Sequence, residues 1–121
     1  MSPHFTIPTP ATFAVRGLLS ERIMTRDGAR CVYCGRDDVP LTVDHVTPCA
    51  HFPANAIAAV VNAPANLVTA CEHCNGAKGA QDLGGFARML LGRGLTSKIT
   101  TAMVRRVHAA TRRPLPSLSD P

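Results

Sequence analysis

Two Cys-x-x-Cys pairs, Cys31-Val32-Tyr33-Cys34 and Cys71-Glu72-His73-Cys74, are separated by the 36 residues 35–70. Asp44-His45 and Asn66 lie between the pairs, and Asn75 follows the last cysteine directly. Two short thiolate knuckles are what tetrahedral zinc requires. The gap is longer than a compact zinc ribbon or finger spans. A metal on Cys31, Cys34, Cys71 and Cys74 must therefore join two distant segments, with a ββ-hairpin folded between them. The residues inside this clamp are different in kind. One imidazole, one carboxylate and two amides are poor material for a closed structural site and good material for a hydrolytic one. His73 offers an alternative ligand inside the second knuckle, but with four cysteines present a solvent or backbone contact is its simpler reading. Cys49, the odd cysteine, reads as a small buried hydrophobe.

Short strands and turns must deliver these groups. Leu41-Thr42-Val43 reads as a strand that presents Asp44 and His45, and Pro48 stops it soon after. Asn66 to Ala70 reads as a second strand running into the second knuckle. A helix is expected to begin near Cys74 or Asn75, weakened by Gly76 and Gly79. Upstream, Leu18, Leu19, Ile23 and Met24 fall at helical spacing between Arg16 and about Asp27, with Glu21, Arg22 and Arg26 on the outer face and Gly28 as the stop. Downstream, Leu83 to Leu91 reads as a helix with Phe86, Met89 and Leu90 inward. A final helix is expected after Thr96 or Ser97, with Ile99, Ala102, Met103, Val107 and Ala110 as its apolar stripe and Pro114 beyond its end. Residues 49–64 carry the weakest pattern, one or two helical turns at Ala56 to Val61 between Pro53 and Pro64.

The 121 residues suffice for one small domain. With no Trp, one Tyr and four Phe the core is thin, and a metal staple is one common remedy. The expected organisation is a disordered tail at 1–12, one domain at 13–113 and a tail at 114–121. Within that domain a zinc-clamped core occupies 26–79 and a basic helical extension 80–113. From Gly84 to Arg113 there are seven Lys or Arg and no acid, which leaves −2 for the rest of a chain whose formal total is +5. Such asymmetry points to a polyanion, nucleic acid before membrane, against the plainer reading of a well-solvated helical surface. Residues 1–12 show no basic and apolar leader pattern, and no apolar run approaches the roughly 18 residues of a membrane span. Five cysteines in that setting fit a reducing, cytoplasmic compartment, with no membrane association. Oligomeric state, monomer or dimer, is left open by the sequence.

Together, Asp44-His45-x-x-Pro48, Asn66-Leu67-x-x-x-Cys71, Cys74-Asn75-x-x-Lys78 and the flanking knuckles resemble the HNH endonucleases. These are the ββα-metal or His-Me finger group, in the branch clamped by zinc. The resemblance covers about Arg26 to Gly79. It implies an α+β fold, a hairpin-plus-helix core stapled by a four-cysteine zinc site with flanking N- and C-terminal helices. It implies hydrolysis of DNA phosphodiester bonds to 5′-phosphate and 3′-hydroxyl ends. His45 would be the general base, an imidazole suited by its ordinary pKa. Asp44 and Asn75 would hold a catalytic Mg²⁺ or Mn²⁺, Asn66 would brace the loop between the strands, and Lys78 would meet a phosphate. No sequence-reading module accompanies the motifs, so DNA contact should be dominated by phosphates. The chain departs from the family at Cys49-Ala50-His51-Phe52-Pro53, where a Gly-rich turn is frequent; His51 there reads as a loop residue. A rival reading is a non-catalytic zinc module that binds nucleic acid or protein through the basic helices. It accounts for the cysteines and the charge but not for the Asp-His-Asn-Asn coincidence.

Overall fold

The structure, a computed structural model, describes residues 13–117. The tail expected at 1–12 and the last residues of the tail expected after 114 lie outside the described residues. Strand β1 (Leu41–His45) pairs antiparallel with β2 (Leu67–Cys71), with Leu41 opposite Cys71 and His45 opposite Leu67. Thr42, Val43, Val68 and Thr69 supply the β-branched backbone preference at its centre. Among the described residues this is a two-stranded sheet. Helices α1 (Gly17–Arg26), α2 (Ala58–Val61), α3 (Glu72–Lys78), α4 (Leu83–Gly92) and α5 (Ser97–Arg112) complete an α+β fold. The long connection between the strands holds α2 and two 3₁₀ turns, Cys49–His51 and Pro64–Asn66. No described helix is long and apolar enough to cross a membrane.

A hairpin this small cannot bury its own faces, and α1, α3 and α5 pack against it, with α4 packed on α5. Tyr33, Val32, Val68 and Ala70 meet Phe86 of α4 and Met103, Val107 and Ala110 of α5 in the main core. The Tyr33 and Phe86 rings stand edge to face at 5.4 Å. A second small cluster joins Phe13, Cys49 and Val61. Cys49 is therefore packed in apolar surroundings, where burial pushes its thiol pKa up.

Three local expectations need correction. Helix α3 begins at Glu72, earlier than expected, because Cys71 Sγ accepts from Cys74 N at 3.3 Å and caps it. The second knuckle is thus the first turn of the helix. Arg26, expected on the outer face of α1, is buried. It pairs with Asp27 at 2.8 Å and donates to the carbonyls of Pro64 at 2.9 Å and Leu67 at 2.5 Å. Asp27 also accepts from Thr69 N at 2.8 Å, so the pair ties the end of α1 to the free edge of β2. Leu18 and Ile99, expected inward, are exposed, and Thr100 replaces Ile99 in the buried row of α5. Thr96 caps α5 by accepting from Ile99 N at 3.2 Å, which sets the first turn with Ile99 outward. Beyond α5, Arg22 Nε donates to Pro116 O at 2.8 Å.

Candidate active site and metal centre

At one end of the hairpin, Cys31, Cys34, Cys71 and Cys74 bring their sulfurs within 4.8 Å of one another. Cys34 Sγ and Cys71 Sγ are 3.9 Å apart. A tetrahedron with arms of ~2.3 Å has edges of ~3.8 Å, so the four thiols are positioned to bind a metal. Each knuckle is preshaped by its own backbone. Cys34 N donates to Cys31 Sγ at 3.4 Å, and Gly35 N donates to Cys31 O at 2.7 Å. That turn needs Gly35 at φ +84°, a conformation open to glycine. A hydrogen bond from the Cys74 thiol holds Cys31 at about 4, while the same shared proton pushes Cys74 above its ordinary range. The cluster thus favours a thiolate from the outset, the form a metal binds.

The register places the other chemistry at the opposite end of β1. Asp44, His45 and Asn75 line one cavity of about 380 Å³, whose far side is formed by Ala14, Val15 and Pro48. Asp44 Oδ2 accepts from Tyr33 Oη at 2.7 Å and faces Lys78 Nζ at 3.1 Å. Burial first, and then the Asp44 charge, push the Tyr33 hydroxyl far above its usual pKa and keep it a donor. Asp44 Oδ1 has no hydrogen-bond partner among the described residues. No described buried side-chain N or O atom lacks a partner, so Oδ1 keeps solvent access on the cavity side. His45 Nε2 donates to Asn62 Oδ1 at 2.6 Å, which fixes the tautomer and leaves the Nδ1 lone pair free. The Asn75 side chain likewise has no partner among the described residues.

Asn66 lies outside this cavity. Its Oδ1 accepts from Thr47 N at 2.8 Å, and its Nδ2 donates to the carbonyls of Thr47 at 3.1 Å and Val61 at 2.9 Å. It closes the base of the long loop directly behind His45. Lys78 departs from its expected place near a phosphate. Its side chain is wholly buried, and Nζ donates to His45 O at 2.9 Å besides pairing with Asp44. The reason lies in its partners: the Asp44 carboxylate and the His45 carbonyl hold the ammonium inward at the strand end. Gly79 ends it at φ +55° and ψ −133°, a backbone open to glycine alone. His51 and His73 are both exposed, and His73 does not join the thiols.

Two site residues escaped the motif spacing. Tyr33 sits inside the first knuckle and is the chain's one Tyr, a signal the spacing rules do not weigh. Asn62 lies in the least readable segment, and only the folded loop brings it to His45.

Asp44 Oδ1 and the Asn75 amide offer hard oxygen donors in an incomplete shell with open cavity beside it. That donor set fits a divalent cation of the Mg²⁺ or Mn²⁺ kind, completed by water and phosphate oxygens.

Of the comparisons with known proteins, the family model agrees in kind. The family model for HNH endonuclease matches residues 31–81. No curated protein matches the chain. Among solved structures, the crystal structure of the Type II-C Cas9 enzyme from Actinomyces naeslundii is similar at 24% identity and a TM-score of 0.45. The match covers 86% of this chain and 12% of that one. Knuckles, hairpin and capped helix all fall inside residues 31–81, the segment that the family model for HNH endonuclease matches.

Proposed function

We propose that this protein is a metal-dependent endonuclease that hydrolyses DNA phosphodiester bonds and leaves 5′-phosphate and 3′-hydroxyl ends. The observation that carries the reading is the cavity in which Asp44 Oδ1, His45 Nδ1 and the Asn75 amide all lack a partner among the described residues. His45 takes the proton of the attacking water at Nδ1 while Asn62 holds Nε2–H and stabilises the imidazolium. The water oxygen bonds to phosphorus, the bond to the 3′ oxygen breaks, and solvent returns a proton to that oxygen. Asp44 and Asn75 would hold Mg²⁺ or Mn²⁺, which when bound supplies charge stabilisation at the phosphate and the leaving oxygen. Tyr33 and Lys78 act through Asp44, fixing Oδ2 so that Oδ1 faces the cavity. Asn66 acts through the loop that carries Asn62. The four-cysteine cluster holds structural zinc, and residues 13–113 form the working domain.

The test is a metal titration of supercoiled-plasmid nicking by wild type and Tyr33→Phe. Wild type is expected to nick with Mg²⁺ or Mn²⁺ and to stop when the divalent cation is withheld. Tyr33→Phe removes one hydroxyl and should raise the cation concentration for half-maximal nicking about 10–100-fold, the usual worth of a group that orients a metal ligand. Zinc content should stay unchanged. Nicking that ignores added divalent cation would overturn the reading.

A further inference from the structure

The cations of the basic segment are not all alike, and three of them gather with Arg30 around a fourth. Arg106 is committed: Nε donates to Val32 O at 3.0 Å and Nη2 to Tyr33 O at 2.7 Å, which clips α5 onto the first knuckle. Arg30, Lys98, Arg105 and Arg113 have no side-chain hydrogen bond or ion pair among the described residues. These four are not scattered. A depression along α5 is lined by Lys98, Arg105 and Arg106. A cleft of about 290 Å³ between α5 and the knuckle is lined by Arg30, Arg106 and Arg113. The two meet at Arg106 and share no lining residue with the Asp44 cavity. The acid in the cleft, Asp27, has a side chain with no exposure and is neutralised by Arg26.

We infer that this continuous track, Lys98 and Arg105 through Arg106 to Arg113 and Arg30, is a second nucleic-acid contact that takes the sugar-phosphate backbone of duplex DNA outside the scissile site. The inference rests on the nuclease reading for its choice of polyanion. Five cations around two depressions, with the nearby acid sealed, are matched by a chain of evenly spaced phosphates. The fork of an arginine also suits phosphate oxygens. Because no base-reading group lines the track, its contribution is independent of sequence. The competing role for these arginines is to neutralise the thiolates of Cys31 and Cys34 on the cleft wall.

The test measures fluorescence anisotropy of a duplex of about 20 base pairs, longer than the handful of phosphates the track spans, without added divalent cation and across a salt series. Arg30→Gln/Arg105→Gln/Arg113→Gln should weaken binding at least ~10-fold at low salt, equally for unrelated duplexes. It should also flatten the slope of log affinity against log salt by about 2.7, three phosphate contacts' worth. Zinc content should match wild type. Should that variant fail to fold, Lys98→Gln/Arg105→Gln, remote from the thiols, should flatten the slope by about 1.8. An unchanged slope in the folded variant overturns the track, as does a wild type that prefers polyglutamate to duplex. Wild type that binds with this slope but never nicks speaks against the nuclease reading and leaves the track standing. Wild type that nicks, with variant slopes unaltered, does the reverse.

Discussion

A Cys71→Ser variant is expected to lose its zinc and, with it, most of its cooperative fold. Cys71 stands in the four-cysteine cluster positioned to bind a metal, and it caps α3, since its sulfur accepts from Cys74 N. It is also the last residue of β2, opposite Leu41, so a metal bound there would fasten the hairpin to the first knuckle. Bound structural zinc contributes on the order of 10 kcal/mol, as much as the whole stability of a typical small domain. The apolar core cannot replace it. Five of the eleven buried members of the main core, Cys31, Val32, Tyr33, Cys71 and Cys74, belong to the knuckles themselves. Zinc analysis and urea unfolding of the purified variant check this. A zinc-free protein with wild-type stability would contradict it.

Asp44→Ala should damage the fold as well as the activity, which a metal ligand facing open solvent would not do. Lys78 is buried against Asp44, with the His45 carbonyl as its other partner. Removing the carboxylate strands that ammonium in the interior, at a cost of about 3–5 kcal/mol. The urea midpoint should fall accordingly, with the slope of unfolding retained. Asp44→Ala/Lys78→Met replaces the stranded charge with an apolar chain of similar length and should recover most of the loss. Nicking activity should stay absent in both. An Asp44→Ala protein as stable as wild type would show that the pair is not formed.

Much of this architecture can be read from local rules. The knuckles, the strand carrying Asp44 and His45, and the capped final helix all follow from spacing, β-branching and a Thr before a helical stripe. Asp44, His45 and Asn75 line one cavity because α3, which continues from β2, packs back against the end of its partner strand β1. What local rules miss depends on partners far away in sequence. Arg26 looks like a surface residue until the carbonyls of Pro64 and Leu67 arrive beside it. Arg106 counts as one more cation of a basic helix until it meets the knuckle carbonyls. Lys78 looks like a phosphate ligand because a long flexible amine one turn from Asn75 can point either way. The Asp44 carboxylate and the His45 carbonyl decide which. The loop at 49–64 has no periodicity to read, and nothing in the pattern around it singles out Asn62.

The central claim is that His45 supplies the base in a site otherwise built to hold a metal. Single-turnover cleavage of pre-bound duplex by wild type and His45→Ala, at saturating Mn²⁺, tests it most directly. His45→Ala leaves Asp44, Asn75 and the thiols in place, so DNA affinity, zinc content and stability should match wild type. The rate should fall by roughly 10²–10⁴-fold, the usual worth of a general base. Cleavage by His45→Ala at the wild-type rate would contradict the account.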